Sequence, residues 1–292
     1  MVGAVVVCDG RIIGEGYHQR CGEAHAEVNA IRSVCEPELL HRSTIYVSLE
    51  PCAHYGKTPP CAQLIIDKGI PQVVVGCRDP FAQVDGRGIT MLRESGIEVR
   101  EGVLEQKCLW LNRRFITFHT KQRPYITLKW AQSEDGFIDR KRTSPEEPPV
   151  RFSTPLTQAL VHQLRAENEA ILVGRHTLEL DRPSLTVRQW YGRNPRRVVL
   201  SSRPVRCEGM TSYRTREEAL KDLWQQGVQS LLVEGGRETL QGFIDAGLWD
   251  EARIETAPIR LGEGIRAPKI EGRKGEKVLI EGRSIVYIYK IS

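Results

Sequence analysis

Apolar residues run without a break through Val2-Gly3-Ala4-Val5-Val6-Val7-Cys8, which predicts a buried strand. Asp9-Gly10 is a tight-turn pair, so Arg11–Gly16 should return beside it as a hairpin. Between Ala24 and Val34 the period changes: Ala26, Val28, Ala30, Ile31 and Val34 recur at helical spacing. Ser43–Leu49 reads as a buried strand, Ala62–Lys68 as a helix ended by Gly69, and Gln72–Cys77 as another strand. A loop from Asp79 to Gly88 leads to a helix reaching Ser95, then the short strand Glu98–Glu101 and a helix over Glu105–Thr117. Strands alternating with helices predict an α/β three-layer domain.

The polar, proline-ended stretch His119-Thr120-Lys121-Gln122-Arg123-Pro124 marks a boundary, which divides the chain into residues 1–120 and 121–292. A second α/β series follows. Strands are expected at Tyr125–Ala131, Ala170–Val173, Arg197–Ser201, Ser230–Val233, near Glu251–Thr256 and at Ser284–Ile291. Helices are expected at Pro155–Glu167, Arg216–Gln226 and Arg237–Ala246. Residues 139–150, charged and proline-rich, read as a surface loop. Gly174–Arg188 has no regular period and is long enough to suggest a functional loop. Glu234-Gly235-Gly236 lies at a strand-to-helix junction, where bare glycines let backbone amides approach a phosphate. By spacing alone this half points only to a nucleotide-like or phosphorylated ligand.

Composition narrows the class. At 292 residues, with 40% hydrophobic and 27% charged residues, the chain suits two soluble globular domains. Its eight cysteines fall at irregular spacing, which argues for a reducing cytosol rather than a disulfide framework. No apolar run is long enough to span a membrane, and no signal peptide precedes the first strand. The net charge of +5 is modest and the basic residues are scattered, so no nucleic-acid partner is indicated. Arginines remain suited to an anionic small substrate.

The candidate chemistry lies in residues 25–61. His25, Cys52 and Cys61 are ligand types for a zinc ion with one open position, which is the arrangement of a catalytic rather than a structural site. Glu27, two residues after the first ligand, is placed to carry protons between a water and a leaving amine. His25 and Glu27 would lie in the first turn of one helix and Cys61 would open another, so helix dipoles would favour thiolate. His-x-Glu with Pro-Cys-x-x-Cys is the zinc-deaminase signature. Here residues 53–60 separate the two cysteines, so that insert must loop out beside the metal.

The longer motifs carry a resemblance. His25-Ala26-Glu27-Val28, Glu50-Pro51-Cys52-Ala53-His54-Tyr55-Gly56-Lys57-Thr58-Pro59-Pro60-Cys61, Asp79-Pro80 and Gly86-Arg87-Gly88 resemble the deaminase half of the bifunctional deaminase/reductase family of riboflavin biosynthesis. Lys129 with Ser133-x-Asp135-Gly136, Leu164-Arg165-Ala166, Gly174–Arg188 and Glu234-Gly235-Gly236 resemble the reductase half, in the same order. The resemblance implies a cytidine-deaminase-like three-layer α/β/α domain followed by a dihydrofolate-reductase-like α/β domain. It implies zinc, one ion per chain, at His25, Cys52 and Cys61, with Glu27 in proton transfer. Its substrate is 2,5-diamino-6-(ribosylamino)pyrimidin-4-one 5′-phosphate, deaminated first and then reduced at the ribose by NADPH. The substrate contacts it implies are Arg165, Leu185, Arg188, Glu234, His54 and Lys57, with Lys129 near the ribose. The NADP contacts it implies are Gln132, Thr177, Asp181, Ser202 and the run Gly236, Arg237, Glu238, Thr239, Leu240, Gln241 and Gly242. A cytoplasmic homo-oligomer is expected.

The sequence departs from that pattern in places. The family's helix and Asn-Pro before Val-Gly do not precede Val2-Gly3 here, so a substrate-contacting asparagine is expected to be missing. Ser144–Phe152 replaces a Gly-x-Ser-x-Trp-Ile loop, with Arg151 where the tryptophan would fall. Asp79-Pro80-Phe81-Ala82 replaces Asp-Pro-Asn-Pro, and Arg182 replaces an aspartate. Two other readings stay open on sequence: a zinc deaminase of free nucleosides or RNA, and a half-active protein in which only the reductase works.

Overall fold

The computed structural model describes residues 2–19, 22–53, 59–80, 86–205 and 208–291. The chain divides into two compact units, Met1–Lys121 and Gln122–Ser292.

In the first unit β1 (Gly3–Cys8) and β2 (Arg11–Tyr17) form the expected hairpin, with Asp9 and Gly10 both at positive φ in the turn. α1 (Ala26–Arg32) and a short 3-10 helix (Pro37–Arg42) lead to β3 (Thr44–Val47). Then come α2 (Cys61–Asp67), β4 (Gln72–Val75), α3 (Arg87–Glu94) and β5 (Glu98–Arg100). The sheet order is β2-β1-β3-β4-β5; β1 runs antiparallel to both neighbours, and β3, β4 and β5 are parallel. Val6, Ile45, Ile65, Val73 and Leu92 are fully buried between sheet and helices.

α1 lies unusually close to the sheet. A Cβ on Gly16 would sit 2.3 Å from the Ala30 nitrogen and 2.6 Å from the Ala26 oxygen, and one on Gly14 2.5 Å from the Ala30 oxygen. Only glycine admits that approach. The Asn29 amide donates to the Tyr17 carbonyl, and Glu15 exchanges hydrogen bonds with the Ser33 hydroxyl, so β2 holds the helix along its length.

The single helix expected over Glu105–Thr117 is two, α4 (Glu105–Leu111) and α5 (Arg113–Lys121). Asn112 breaks it. Its side-chain amide and backbone N–H both bond the Cys108 carbonyl, and its φ of −97° and ψ of 11° leave the helical region.

The second unit contains β6 (Tyr125–Ser133), β7 (Phe137–Asp139), α6 (Pro155–Ala166), β8 (Ala170–Gly174), α7 (Arg175–Asp181), β9 (Arg196–Leu200) and β10 (Thr211–Tyr213). It continues with α8 (Arg216–Gln225), β11 (Ser230–Val233), α9 (Arg237–Asp245), β12 (Glu251–Ala257), β13 (Ile265–Arg266), β14 (Arg273–Ile280) and β15 (Arg283–Tyr289). The main sheet order is β10-β9-β8-β11-β6-β12-β15-β14, parallel from β10 to β12 and antiparallel beyond. β8 and β11 are buried along their whole length, which is why they read as unbroken apolar runs. At the entry to β6, Arg123 makes a two-pronged bond to Asp250 at 2.5 and 2.8 Å, and Asp250 also accepts from the Ile126 N–H.

Part of the expected loop 174–188 is α7. The helix stops where Arg182 turns left-handed at φ 42°. β14 was not expected, because exposure on both faces leaves it no apolar alternation.

Candidate active sites

In the first unit the three expected metal ligands meet. His25 precedes α1, Cys52 follows β3, and Cys61 starts α2. Their donor atoms lie within 4.8 Å of one another, from an exposed His25, a half-buried Cys52 and a buried Cys61. The His25 Nδ1 is 3.6 Å from the Cys52 sulfur and 3.3 Å from that of Cys61, and the Cys61 N–H points at the Cys52 sulfur from 3.3 Å. One imidazole and two thiolates around a common point, with no fourth protein ligand among the described residues, suit a zinc ion that keeps a position open.

The electrostatics agree with that use. A hydrogen bond from the Cys61 thiol, and then one from His25, hold Cys52 down at about 4 against the cost of burial. Cys61 is pushed up by its bond to Cys52 and by burial, so a cation would take the place of the proton the two sulfurs share. His25 is raised by its contact with Cys52. Glu27, buried in the first turn of α1, is pushed up to about 7 mainly by burial, against its backbone hydrogen bond. A carboxyl with that affinity both takes and returns a proton near neutral pH. His54 and Lys57 lie outside the described residues, as do Phe81 and Ala82.

Two supports of this site were not evident in the sequence. Glu50 is buried and its two oxygens accept four backbone N–H bonds, from Asp79, Gly86, Gly88 and Ile89 at 3.0–3.3 Å. It ties the Cys52 segment to the start of α3; its position in Glu-Pro-Cys was the available signal. His18 bonds the Ala24 carbonyl and stands edge-on to the His25 ring at 5.3 Å, which steadies the approach to α1.

In the second unit two cavities open at the carboxyl ends of the parallel strands, where open α/β sheets bind ligands. The larger, about 830 Å³, is bordered by Thr177, Asp181, Ser202, Glu234 and the start of α9 from Gly236 to Thr239. The smaller, about 420 Å³, is bordered by Arg151, Phe152, His162, Arg165 and Arg188. Lys129 lines both.

The larger cavity fits a phosphate-bearing cofactor. Its wall includes the N-terminus of α9, which has no side-chain cap, with Arg237 in its first turn, and Arg175 also lines the cavity. The Gly236 N–H donates to Thr177 at 3.0 Å, and Gly174 and Gly235 press so closely on Thr239 that a Cβ would have no room. Arg142, which the sequence did not single out, bridges Asp139 and Asp181 across this cavity.

Around the smaller cavity Arg165 is half-buried, its side chain 12% exposed, rather than on a solvated helix face. Its guanidinium grips Glu234 in two bonds of 2.9 and 2.8 Å and reaches the Thr186 carbonyl. Burial pushes the Glu234 carboxyl up, but Lys129 and Arg165 outweigh it and hold the group below its usual range. Burial pushes Lys129 down, reinforced by Arg253 and Arg165 and opposed by Glu234 and Glu255. His162, also missed in the sequence, accepts the Arg188 backbone N–H on Nδ1 at 3.0 Å, and burial, reinforced by Arg165 and Arg188, pushes its pKa down.

The remaining expected contacts stand apart from the cavity walls. Gln132 accepts the Trp130 indole N–H. Leu185 is packed in the core with Leu164 and Leu232, its backbone left-handed at φ 53°. Leu240 is in the core, Gln241 bonds Asp245 and Lys269, and Gly242 faces Arg216.

The fold and the two sites define a zinc-binding deaminase unit joined to a reductase-type α/β unit. Comparison with known proteins agrees on both halves. Residues 1–77 match the cytidine and deoxycytidylate deaminase zinc-binding region, and residues 124–285 match the RibD C-terminal domain. Riboflavin biosynthesis protein RibD of Aquifex aeolicus is 37% identical over 298 residues, covering 90% of this chain and 82% of that protein. The Escherichia coli protein of that name is 35% identical over 312 residues, covering 91% and 83%. A solved Thermotoga maritima diaminohydroxyphosphoribosylaminopyrimidine deaminase/5-amino-6-(5-phosphoribosylamino)uracil reductase superposes with a TM-score of 0.88 at 33% identity, over 99% of this chain and 92% of that one. The chain belongs to the RibD family, and acts in riboflavin biosynthesis by deamination and reduction. No helix among the described residues is long and apolar enough to cross a membrane.

Proposed function

We propose that the chain converts 2,5-diamino-6-(ribosylamino)pyrimidin-4-one 5′-phosphate to 5-amino-6-(ribitylamino)uracil 5′-phosphate in two steps, one in each unit. The observation that carries this reading is the meeting of His25, Cys52 and Cys61 beside a buried Glu27, with a separate pair of cavities joined at Lys129.

In the first step the pyrimidine amine is exchanged for oxygen, with water consumed and ammonia released. His25, Cys52 and Cys61 would hold zinc, which would supply the Lewis acidity that makes water a usable nucleophile near neutral pH. Glu27 takes the proton from the attacking water and returns it to the departing nitrogen. Its burial keeps the carboxylate basic enough for the first transfer and acidic enough for the second.

The second step needs a hydride, which NADPH would supply; Thr177, Asp181, Ser202 and the start of α9 are the residues that would hold it. The hydride adds at C1′ of the ribose, the bond from C1′ to the ring oxygen breaks, and that oxygen requires a proton. Lys129, with no hydrogen-bond partner for its ammonium among the described residues, delivers it. Arg188 presents the exposed guanidinium for the phosphate, while Arg165 holds Glu234 at the ribose end. The exposed edge strand β14, with Leu279 70% exposed, supports assembly as a homo-oligomer, which light scattering tests. The free cysteines among the described residues support a reducing compartment such as the cytosol.

The order of steps gives the test. Glu27→Gln should consume no NADPH with the diamino compound and regain normal NADPH oxidation when the deaminated compound is supplied. NADPH oxidation on the diamino compound without ammonia release would refute the order.

A further inference from the structure

The face of the sheet under α6 carries charges that the reaction as described does not use. Glu251, Arg253 and Glu255 alternate along β12 and all three are buried, Arg253 at 2% exposure and Glu255 at 0%. Glu251 is satisfied by the Tyr125 and Thr127 hydroxyls at 3.0 Å. Arg253 and Glu255 are not. The Arg253 Nη1 stands 3.6 Å from the Glu255 Oε2, and Nη1, Nη2 and Oε2 have no hydrogen-bond partner. Only the other Glu255 oxygen is engaged, by the Thr157 hydroxyl at 2.7 Å. A buried, loosely matched pair contributes little to stability compared with apolar residues of the same size.

Its position suggests another role. β12 and β6 run parallel with Arg253 in register with Lys129 and Glu255 in register with Ala131, and both Lys129 and Ala131 line the smaller cavity. Lys129 is therefore flanked on β12 by a cation at its own level and an anion one step along. From the other elements it is faced by Glu234 after β11, by Arg165 and His162 on α6, and by Arg151 and Arg188 across the cavity. Tyr287 on β15 faces Arg253 from the far side. Arg165 already takes both oxygens of Glu234, so the carboxylate nearest Lys129 is spoken for.

We propose that Arg253, paired with Glu255, is a positioning residue for the reduction: its buried charge keeps Lys129 ready to release a proton to the substrate. The inference rests on the reading of Lys129 as the proton donor. Like charge beside an ammonium favours its neutral form; burial is the largest cause of the downward displacement of Lys129, and Arg253 adds to it. The anionic partner opposes that effect, so Arg253 and Glu255 act in opposite senses on the same group.

The test is the pH profile of NADPH oxidation, as kcat/KM, by the full chain on the deaminated substrate. If Lys129 works protonated, activity falls as pH rises through its pKa. Arg253→Gln should move that alkaline limb up by about one pH unit, and Glu255→Gln, which retains the Thr157 bond, should move it down. The double change Arg253→Met with Glu255→Met removes both charges without leaving one unpaired, so it should fold if Arg253→Gln does not, and should move the limb up by less. Opposite displacements support the proposal. Limbs that coincide with wild type, or move in one direction in both single variants, overturn it; a purely structural role would lower thermal stability or kcat without moving the limb. Lys129→Met with wild-type activity would instead remove the underlying reading of Lys129, and the proposal with it.

Discussion

Gly16→Ala isolates the geometry of the deaminase site from its chemistry, because it touches no reacting group. A Cβ at Gly16 would lie 2.3 Å from the Ala30 nitrogen, 2.6 Å from the Ala26 oxygen and 2.7 Å from the Asn29 carbonyl carbon, all backbone of α1. Backbone cannot rotate aside, so the helix must retreat by about 1 Å to restore ordinary contact. The first turn of that helix carries Glu27, and His25 precedes it, whereas Cys52 and Cys61 hang from β3 and α2. The retreat therefore opens His25 and Glu27 away from the sulfurs. Overpacking of this kind costs about 1–3 kcal/mol of stability, and a 1 Å displacement at a reacting centre costs about 100-fold in rate. Ammonia release should fall by about 100-fold with weakened zinc retention, while NADPH oxidation of the deaminated compound stays normal. Gly3→Ala is the control, since its Cβ would meet nothing nearer than 4.0 Å. Wild-type ammonia release and zinc content in Gly16→Ala would refute the claim that this glycine contact sets the site.

Other expectations follow from the same geometry. Glu50→Gln replaces one acceptor oxygen by a donor facing backbone N–H groups; it should cost about 3 kcal/mol in denaturant unfolding of the first unit and lower deaminase activity with it. Arg188→Ala should raise KM for the deaminated substrate by about tenfold or more with kcat little changed, as loss of a charge-assisted phosphate contact requires. Asp135 is held down at about 2, first by the Ser133 hydroxyl and then by the Gly262 and Leu261 N–H groups. A lowered carboxylate contributes stability above its unfolded value near 4 and loses it as pH falls towards 2. Acid unfolding of the second unit should therefore lose part of its steepness between about pH 4 and 2 in Asp135→Asn; an unchanged curve would remove Asp135 from the acid response.

The metal ligands were legible because His25, Cys52 and Cys61 each sit at an element boundary that the local pattern reveals, and because their residue types have few other joint uses. The parallel strands β8 and β11 were legible because burial on both faces leaves an unbroken apolar run. What escaped was tertiary. The break at Asn112 depends on a buried side chain bonding its own helix. Nothing in the spacing of Arg165 and Glu234 announces their pairing, and Arg165 looked like an exposed helix residue until β11 delivered the carboxylate to it. Arg253 and Glu255 fit the alternation of a half-exposed strand, yet β12 lies between β6 and β15 with both residues buried. Leu185, Leu240, Gln241 and Gly242 followed from motif positions; the fold packs the two leucines in the core, bonds Gln241 to Asp245 and Lys269 and sets Gly242 against Arg216, and none of the four lines either cavity.

The central claim is that the first unit alone carries out the deamination, with Glu27 as the proton carrier. The most direct measurement is ammonia release from 2,5-diamino-6-(ribosylamino)pyrimidin-4-one 5′-phosphate by the zinc-loaded chain in the absence of NADPH. Release by the wild type, reduced about 1,000-fold or more in a Glu27→Gln variant that still binds one zinc per chain, is the expected result. No release from the zinc-loaded wild type, or undiminished release from Glu27→Gln, would contradict it.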